Sequence, residues 1–177
     1  MAGDPKIMAK IIVLDSSFLI ELFALPGDST AEKHQAAASL FKQAINNSYD
    51  IFCPLSVLYE VANHIADIKN AKAQMEIAKK FKETVISAHQ EGVPFAVIPN
   101  GKTGDNFKEL AELPSLCAEY QEHLRQGLGL TDCTIIDVAK AIKANYHHRQ
   151  KNWNAHIWTL HKALKALEPD RFEHKYF

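Results

Sequence analysis

The stretch Ile11-Ile12-Val13-Leu14-Asp15-Ser16-Ser17 constrains the fold more than any other part of the chain. Four consecutive apolar residues are cut off by a carboxylate and two hydroxyls. An apolar run without polar alternation reads as a strand buried on both faces, as in a parallel sheet covered by helices. Ligands of open α/β sheets bind beyond the carboxyl ends of such strands, so Asp15 falls where a functional carboxylate belongs. Taken alone, it is equally readable as an aspartate that starts a turn.

The rest of the chain repeats that alternation. A strand at residues 10–14 leads into a helix over 16–25, stopped by Pro26-Gly27-Asp28. Asp28, Ser29 or Thr30 caps the next helix, which runs to about Asn46 with Ala36, Leu40, Phe41, Ala44 and Ile45 on one face. A short strand follows at 50–53. Val57, Leu58, Val61, Ile65 and Ile68 then mark an amphipathic helix, and a second spans 71–90 with Met75, Ile77, Ala78, Phe81, Val85 and Ile86 inward. A third strand is predicted at 95–98, a helix from Phe107 with a break at Pro114, a helix over 131–144, a fourth strand at 155–159 and a short helix over 162–167. Helical connections of this length make right-handed crossovers between parallel strands. The expected fold is α/β: a single-domain α/β/α sandwich with a central parallel sheet, covering residues 1–177.

Composition narrows the class. With 47% hydrophobic and 23% charged residues, the chain is an ordinary globular sequence, long enough at 177 residues for one sizeable core. A formal net charge of −1 argues against gripping a long nucleic acid by backbone electrostatics, while leaving room for a cleft with basic rims. Cys53, Cys117 and Cys133 are odd in number and lack C-x-x-C spacing, which favours a reducing, cytoplasmic setting. Residues 1–10 are too polar for a secretory signal, and no apolar run approaches membrane-spanning length, so no membrane association is expected.

Two further acids stand in places comparable to that of Asp15. Glu60 lies just inside the helix after the second strand, four residues from both Ser56 and His64 and therefore on their helix face. Asp132, in Gly129-Leu130-Thr131-Asp132, opens the helix whose buried stripe is Ile135, Ile136, Ala139 and Ile142. Thr131 reads as its N-cap, with Leu130 packing on Ile135 as a staple. Each acid alone is explained about as well by complementing a helix dipole. Asp137 is turned about 140° from Asp132 on the same helix and is assigned to solvent or a salt bridge. Together, Asp15, Glu60 and Asp132 supply the oxygen ligands that Mg²⁺ and Mn²⁺ take. Such an ion activates water and stabilises charge on a reacting phosphate. Without one, three clustered carboxylates repel each other and cost stability.

At these residues the chain resembles PIN domains, specifically the VapC-like toxins. The matching pieces are Ile11 to Leu19, Pro54 to Asn63 with Pro-Leu-Ser-Val-Leu-Tyr-Glu-Val, Gly129 to Ala141 with Gly-Leu-Thr-Asp at a helix start, and His156 to Leu164 with Ile-Trp-Thr-Leu-His-Lys, in the family's order. The resemblance implies a Mg²⁺- or Mn²⁺-dependent ribonuclease, with Asp15, Glu60 and Asp132 as metal-binding acids and Ser16 or Ser17 ordering the first acid or the metal's waters. Thr131 and His161 are accessory candidates. It also implies an RNA substrate, a small antitoxin protein as partner, and a homodimer. One position departs from the pattern: similar sequences carry Thr-x-Asp after the last strand, and here the segment reads Thr159-Leu160-His161. Three acids then suffice, or the imidazole shifts preference towards Mn²⁺, or the site is degenerate and the domain binds RNA or protein without cleaving. Retained activity is the favoured expectation.

Other features have plainer explanations. Lys79-Lys80-Phe81-Lys82 reads as the wet side of a helix, and His147-His148-Arg149-Gln150-Lys151 as a solvated helix end rather than an RNA rim. Trp158 is assigned to the core, and Trp153 is the better candidate for base stacking. No glycine-rich phosphate loop of the Walker or dinucleotide type occurs, which disfavours a nucleotide-binding or phosphatase-like reading.

Overall fold

A computed structural model of the chain describes residues 10–99, 108–145 and 153–177. The histidine pair and Arg149 lie outside them. Strand β1 (Lys10–Leu14) is hydrogen-bonded on one side to β2 (Asp50–Pro54) and on the other to β4 (Asn154–Trp158), and β3 (Ala96–Ile98) extends the sheet beyond β2. All pairings are parallel, in the order β3-β2-β1-β4. The central position of β1 explains its composition, because Ile11 to Leu14 are fully buried and no polar side chain has a wet face to occupy. Among the described residues seven α-helices flank the sheet: α1 (Ser16–Phe23), α2 (Ala31–Asn46), α3 (Leu55–Ala66), α4 (Ala71–Glu91), α5 (Lys108–His123), α6 (Leu130–Asn145) and α7 (Lys162–Lys165). The architecture is α/β with an all-parallel sheet.

One hydrophobic cluster joins the layers. At its centre Phe18 of α1 packs against Trp158 at 5.0 Å between ring centroids, and edge-on against Phe177 at 4.9 Å. Trp158 is thus in the core, as expected. Trp153 is half-buried just ahead of β4.

The open edge of β4 is closed by the chain that follows α7. The Ala155 amide donates to the Asp170 carboxylate at 2.8 Å, and the Ala155 carbonyl accepts from the Asp170 amide at 3.0 Å. The Ile157 amide donates to Glu168 Oε2 at 3.1 Å, while its carbonyl accepts from Lys165 Nζ at 3.0 Å. Side chains and backbone of residues 165–170 therefore stand in for a fifth strand, removing an edge that is a template for aggregation. His156 follows the same segment, its Nδ1 lying 2.8 Å from the Asp170 carbonyl.

Several local expectations change. Helix α6 begins at Leu130, one residue before the expected cap, and Leu130 is 39% exposed, so it does not staple onto Ile135. Helix α5 runs through Pro114 without a break. Ile45, Met75 and Ile86, expected on inward faces, are exposed. The inward stripes are filled without them, by Ala37, Leu40, Phe41 and Ala44 on α2 and by Ile77, Phe81 and Val85 on α4. Helix α7 is a single turn, because residues 165–170 are taken up by the β4 edge.

Glu168 tests this closure. Its carboxylate, 5% exposed, accepts from Ile157 N, Phe172 N and Lys165 Nζ. Glu168→Ala leaves the amides of Ile157 and Phe172 without this acceptor and the Lys165 ammonium with only the Ile157 carbonyl and no counter-charge. We expect urea unfolding to show a loss of about 2–4 kcal/mol. A loss below about 1 kcal/mol would mean that water covers the edge equally well.

Candidate active site

Asp15 occupies the first position after β1 and is the N-cap of α1, with extended backbone angles (φ −102°, ψ 160°). Its carboxylate is 4% exposed and is surrounded by hydroxyls. Ser17 Oγ donates to Oδ2 at 2.6 Å, Thr159 Oγ1 donates to the same oxygen at 2.8 Å, and Ser16 Oγ lies 3.3 Å from Oδ1. Two of these hydroxyls also accept: Ser17 Oγ from the Leu160 amide at 2.8 Å, and Thr159 Oγ1 from the His161 amide at 2.9 Å. The loop after β4 is thereby tied through two relays to the acid after β1. Both serines of the Asp-Ser-Ser segment orient the acid, so the alternatives Ser16 and Ser17 resolve into two separate roles.

Thr159 was not recognised as a site residue from sequence, although the signal is there. β1 and β4 are in register with Leu14 opposite Trp158, so the first residues beyond two neighbouring apolar runs are Asp15 and Thr159. Two parallel runs that end in polar residues at one level point to a shared site.

Glu60 reaches the same place from α3. Burial raises its carboxyl above the ordinary glutamate range; the Ser16 hydroxyl opposes that shift, and the charges of Asp15 and Asp132 reinforce it. Ser16 thus bridges the first and second acids. Ser56, one turn before Glu60, has a buried hydroxyl without a partner. His64, one turn after Glu60, is 3.1 Å from Asp28 of the α1–α2 loop.

Asp132 is the third residue of α6 rather than the first. Its Oδ2 accepts from the Gly129 amide at 2.6 Å while the Gly129 carbonyl accepts from Cys133 N at 3.2 Å. That is the reach-back half of a capping box, with Gly129 in the capping place assigned to Thr131. Thr131 is a half-buried residue of the first turn. Burial raises the Asp132 carboxyl; the Gly129 amide lowers it, Asp15 raises it and His161 lowers it. His161 Nδ1 stands 3.8 Å from Asp132 Oδ1, so the imidazole of the loop after β4 faces the third acid. Asp137 is half-buried away from the three acids. It hydrogen-bonds Glu119 of α5, and burial followed by that carboxylate raises its pKa, while Lys140 one turn on lowers it.

The three acids therefore share one electrostatic neighbourhood at the carboxyl end of the sheet. Among the described residues none of them pairs with a lysine or arginine. This donor set fits a hard divalent cation in kind: carboxylate oxygens and uncompensated negative charge. Among the described residues no three His, Cys, Asp or Glu side chains converge tightly enough to form a finished ligand cage.

Compared with known proteins, the chain matches no family model and no curated protein. The functional reading therefore rests on the site itself.

The raised carboxyls have a measurable consequence. A group with a raised folded-state pKa holds its proton more tightly when folded, so its contribution to stability is lost as pH rises through that value. In chelator, Glu60→Gln should melt above the wild type at pH 7, and the advantage should shrink as pH falls through the raised value and be gone below the ordinary glutamate pKa. A variant that melts at or below the wild type at pH 7 would contradict the repulsion. Thermal denaturation across pH provides the comparison.

Proposed function

We propose that the protein is a metal-dependent ribonuclease in which Asp15, Glu60 and Asp132 hold Mg²⁺ or Mn²⁺. The observation that carries this reading is the mutual electrostatic influence of three carboxylates, Asp15 just after β1, Glu60 of α3 and Asp132 of α6, with burial and mutual charge raising Glu60 and Asp132 and no lysine or arginine paired with them among the described residues. A cluster that costs stability in isolation is kept where a cation offsets the cost. When bound, such an ion lowers the pKa of a coordinated water and neutralises charge on a phosphate. The chain's own residues do the positioning. Ser17 and Thr159 fix the Asp15 carboxylate, Ser16 spans Asp15 and Glu60, and Gly129 holds Asp132 by its backbone amide.

The finer assignment, to a VapC-like toxin with an antitoxin partner and a homodimeric state, rests on the motif resemblance. The exposure of Tyr59 on α3 and of Met75 and Ile86 on α4 leaves apolar surface for such contacts. A second reading, a PIN-like module that binds RNA or protein without cleaving, is favoured by His161, which stands beside Asp132 as a nitrogen donor instead of a fourth carboxylate.

Cleavage of a mixed, structured RNA pool by purified protein separates the two. We expect fragments in Mg²⁺ or Mn²⁺, none in chelator, and a rate lowered by at least about 100-fold in Asp15→Asn. Metal-independent cleavage, or cleavage unchanged in the variant, would remove these acids from the mechanism. Binding of the RNA pool without cleavage in either metal would favour the non-catalytic module.

A further inference from the structure

The loop after β4 carries an imidazole for which the three carboxylates alone give no role. His161 is the N-cap of α7, yet its side chain makes no capping hydrogen bond. The ring is turned to α6 instead, with Nδ1 3.8 Å from Asp132 Oδ1. The other oxygen of that carboxylate is taken by the Gly129 amide, so the ring faces the free one. A separation of 3.8 Å is too long for a hydrogen bond. It is within the span of one cation touching both atoms, since bonds from such ions to nitrogen and oxygen are about 2.0–2.2 Å.

His161 is placed by the same groups that place the first acid. Its amide donates to Thr159 Oγ1, which donates to Asp15 Oδ2. The preceding amide, of Leu160, donates to Ser17 Oγ, the second hydroxyl on that carboxylate oxygen. The backbone that carries the ring is therefore tied at two points to Asp15, while the ring itself reaches Asp132. Asp15 and Asp132 both act on Glu60 through their charge. One imidazole nitrogen thus stands with three carboxylates at the carboxyl end of the sheet.

The chemistry of the donors sorts the cations they take. Carboxylates suit Mg²⁺, Ca²⁺ and Mn²⁺, whereas imidazole suits the later first-row ions. Mg²⁺ keeps an oxygen shell and sheds its waters reluctantly, so a nitrogen donor gives it little. A neutral imidazole adds a ligand without adding charge, and its contribution therefore differs from ion to ion more than that of a further carboxylate.

We infer that His161 is a nitrogen ligand of the cation held by Asp15, Glu60 and Asp132, and that it makes the site select a first-row transition ion, Mn²⁺ or Co²⁺, over Mg²⁺. The inference rests on the metal-site reading above and adds to it the class of ion. Its test does not require cleavage.

Asparagine places an amide oxygen close to where Nδ1 of histidine lies, so His161→Asn exchanges nitrogen for oxygen and adds no charge. Wild type, His161→Asn and Asp15→Asn, each checked by thermal melting in chelator, are titrated calorimetrically at pH 8 with Mg²⁺, Mn²⁺ and Co²⁺. The Mn²⁺ complexes are then examined by pulsed EPR for coupling to nitrogen. We expect wild type to bind Co²⁺ at least about 100-fold more tightly than Mg²⁺, and His161→Asn to lower that ratio by about tenfold or more. Nitrogen coupling should be present in wild type and lost in His161→Asn. A ratio unchanged by His161→Asn, or a wild-type Mn²⁺ complex without nitrogen coupling, would overturn the ligand role and leave the ring as an ion-pair partner of Asp132. Asp15→Asn separates the two claims. Binding that is lost there but indifferent to His161→Asn keeps the carboxylate site and removes only this inference. Binding that Asp15→Asn does not weaken, or no binding of any of the three ions, would overturn both.

Discussion

Everything at the candidate site depends on one buried carboxylate held by hydroxyls. Asp15 ends the central strand, caps the first helix and receives hydroxyls from both sides of the sheet, Ser17 on its own chain segment and Thr159 from the neighbouring strand. A carboxylate this buried demands partners. Neutral hydroxyls satisfy its hydrogen bonds without cancelling its charge. The site therefore keeps its negative potential, and Glu60 and Asp132 register it.

The same economy shapes the outer strand. β4 must lie beside β1 to bring Thr159 to Asp15, which makes it an edge. The chain covers that edge with Glu168, Lys165 and Asp170 rather than with a long fifth strand. This choice shortens α7 to one turn and leaves a polar groove outside it.

Much of this was legible in the sequence because it follows from periodicity. The unbroken apolar run of β1 required a central parallel strand, and Asp15 and Asp132 fall at the carboxyl end of a strand and in a first helical turn. Glu60, expected in a first turn, is in the second turn of α3, beyond the reach of a simple dipole role. What was not legible depends on neighbours distant in sequence. The role of Thr159 requires the β1–β4 register. The start of α6 at Leu130 is set by Asp132 reaching back to Gly129, which a search for Ser or Thr caps assigns to Thr131 instead. Ile45, Met75 and Ile86 belong to the apolar stripes by spacing, yet those stripes are wider than the surface they cover. The pairing of Asp137 with Glu119 could not be read from one helix, since the partner is on another.

The central claim is that Asp15, Glu60 and Asp132 act as one cation site, and calorimetric titration of Mn²⁺ into the purified protein tests it most directly. Wild type, Asp15→Asn, Glu60→Gln, Asp132→Asn and the pairwise doubles would be compared at pH 7. A single site predicts that each substitution weakens binding by about tenfold or more, with doubles losing less than the sum of the singles because the ligands act together. Binding that is unchanged by all three single substitutions, or lost only when an unrelated acid is removed, would contradict the account.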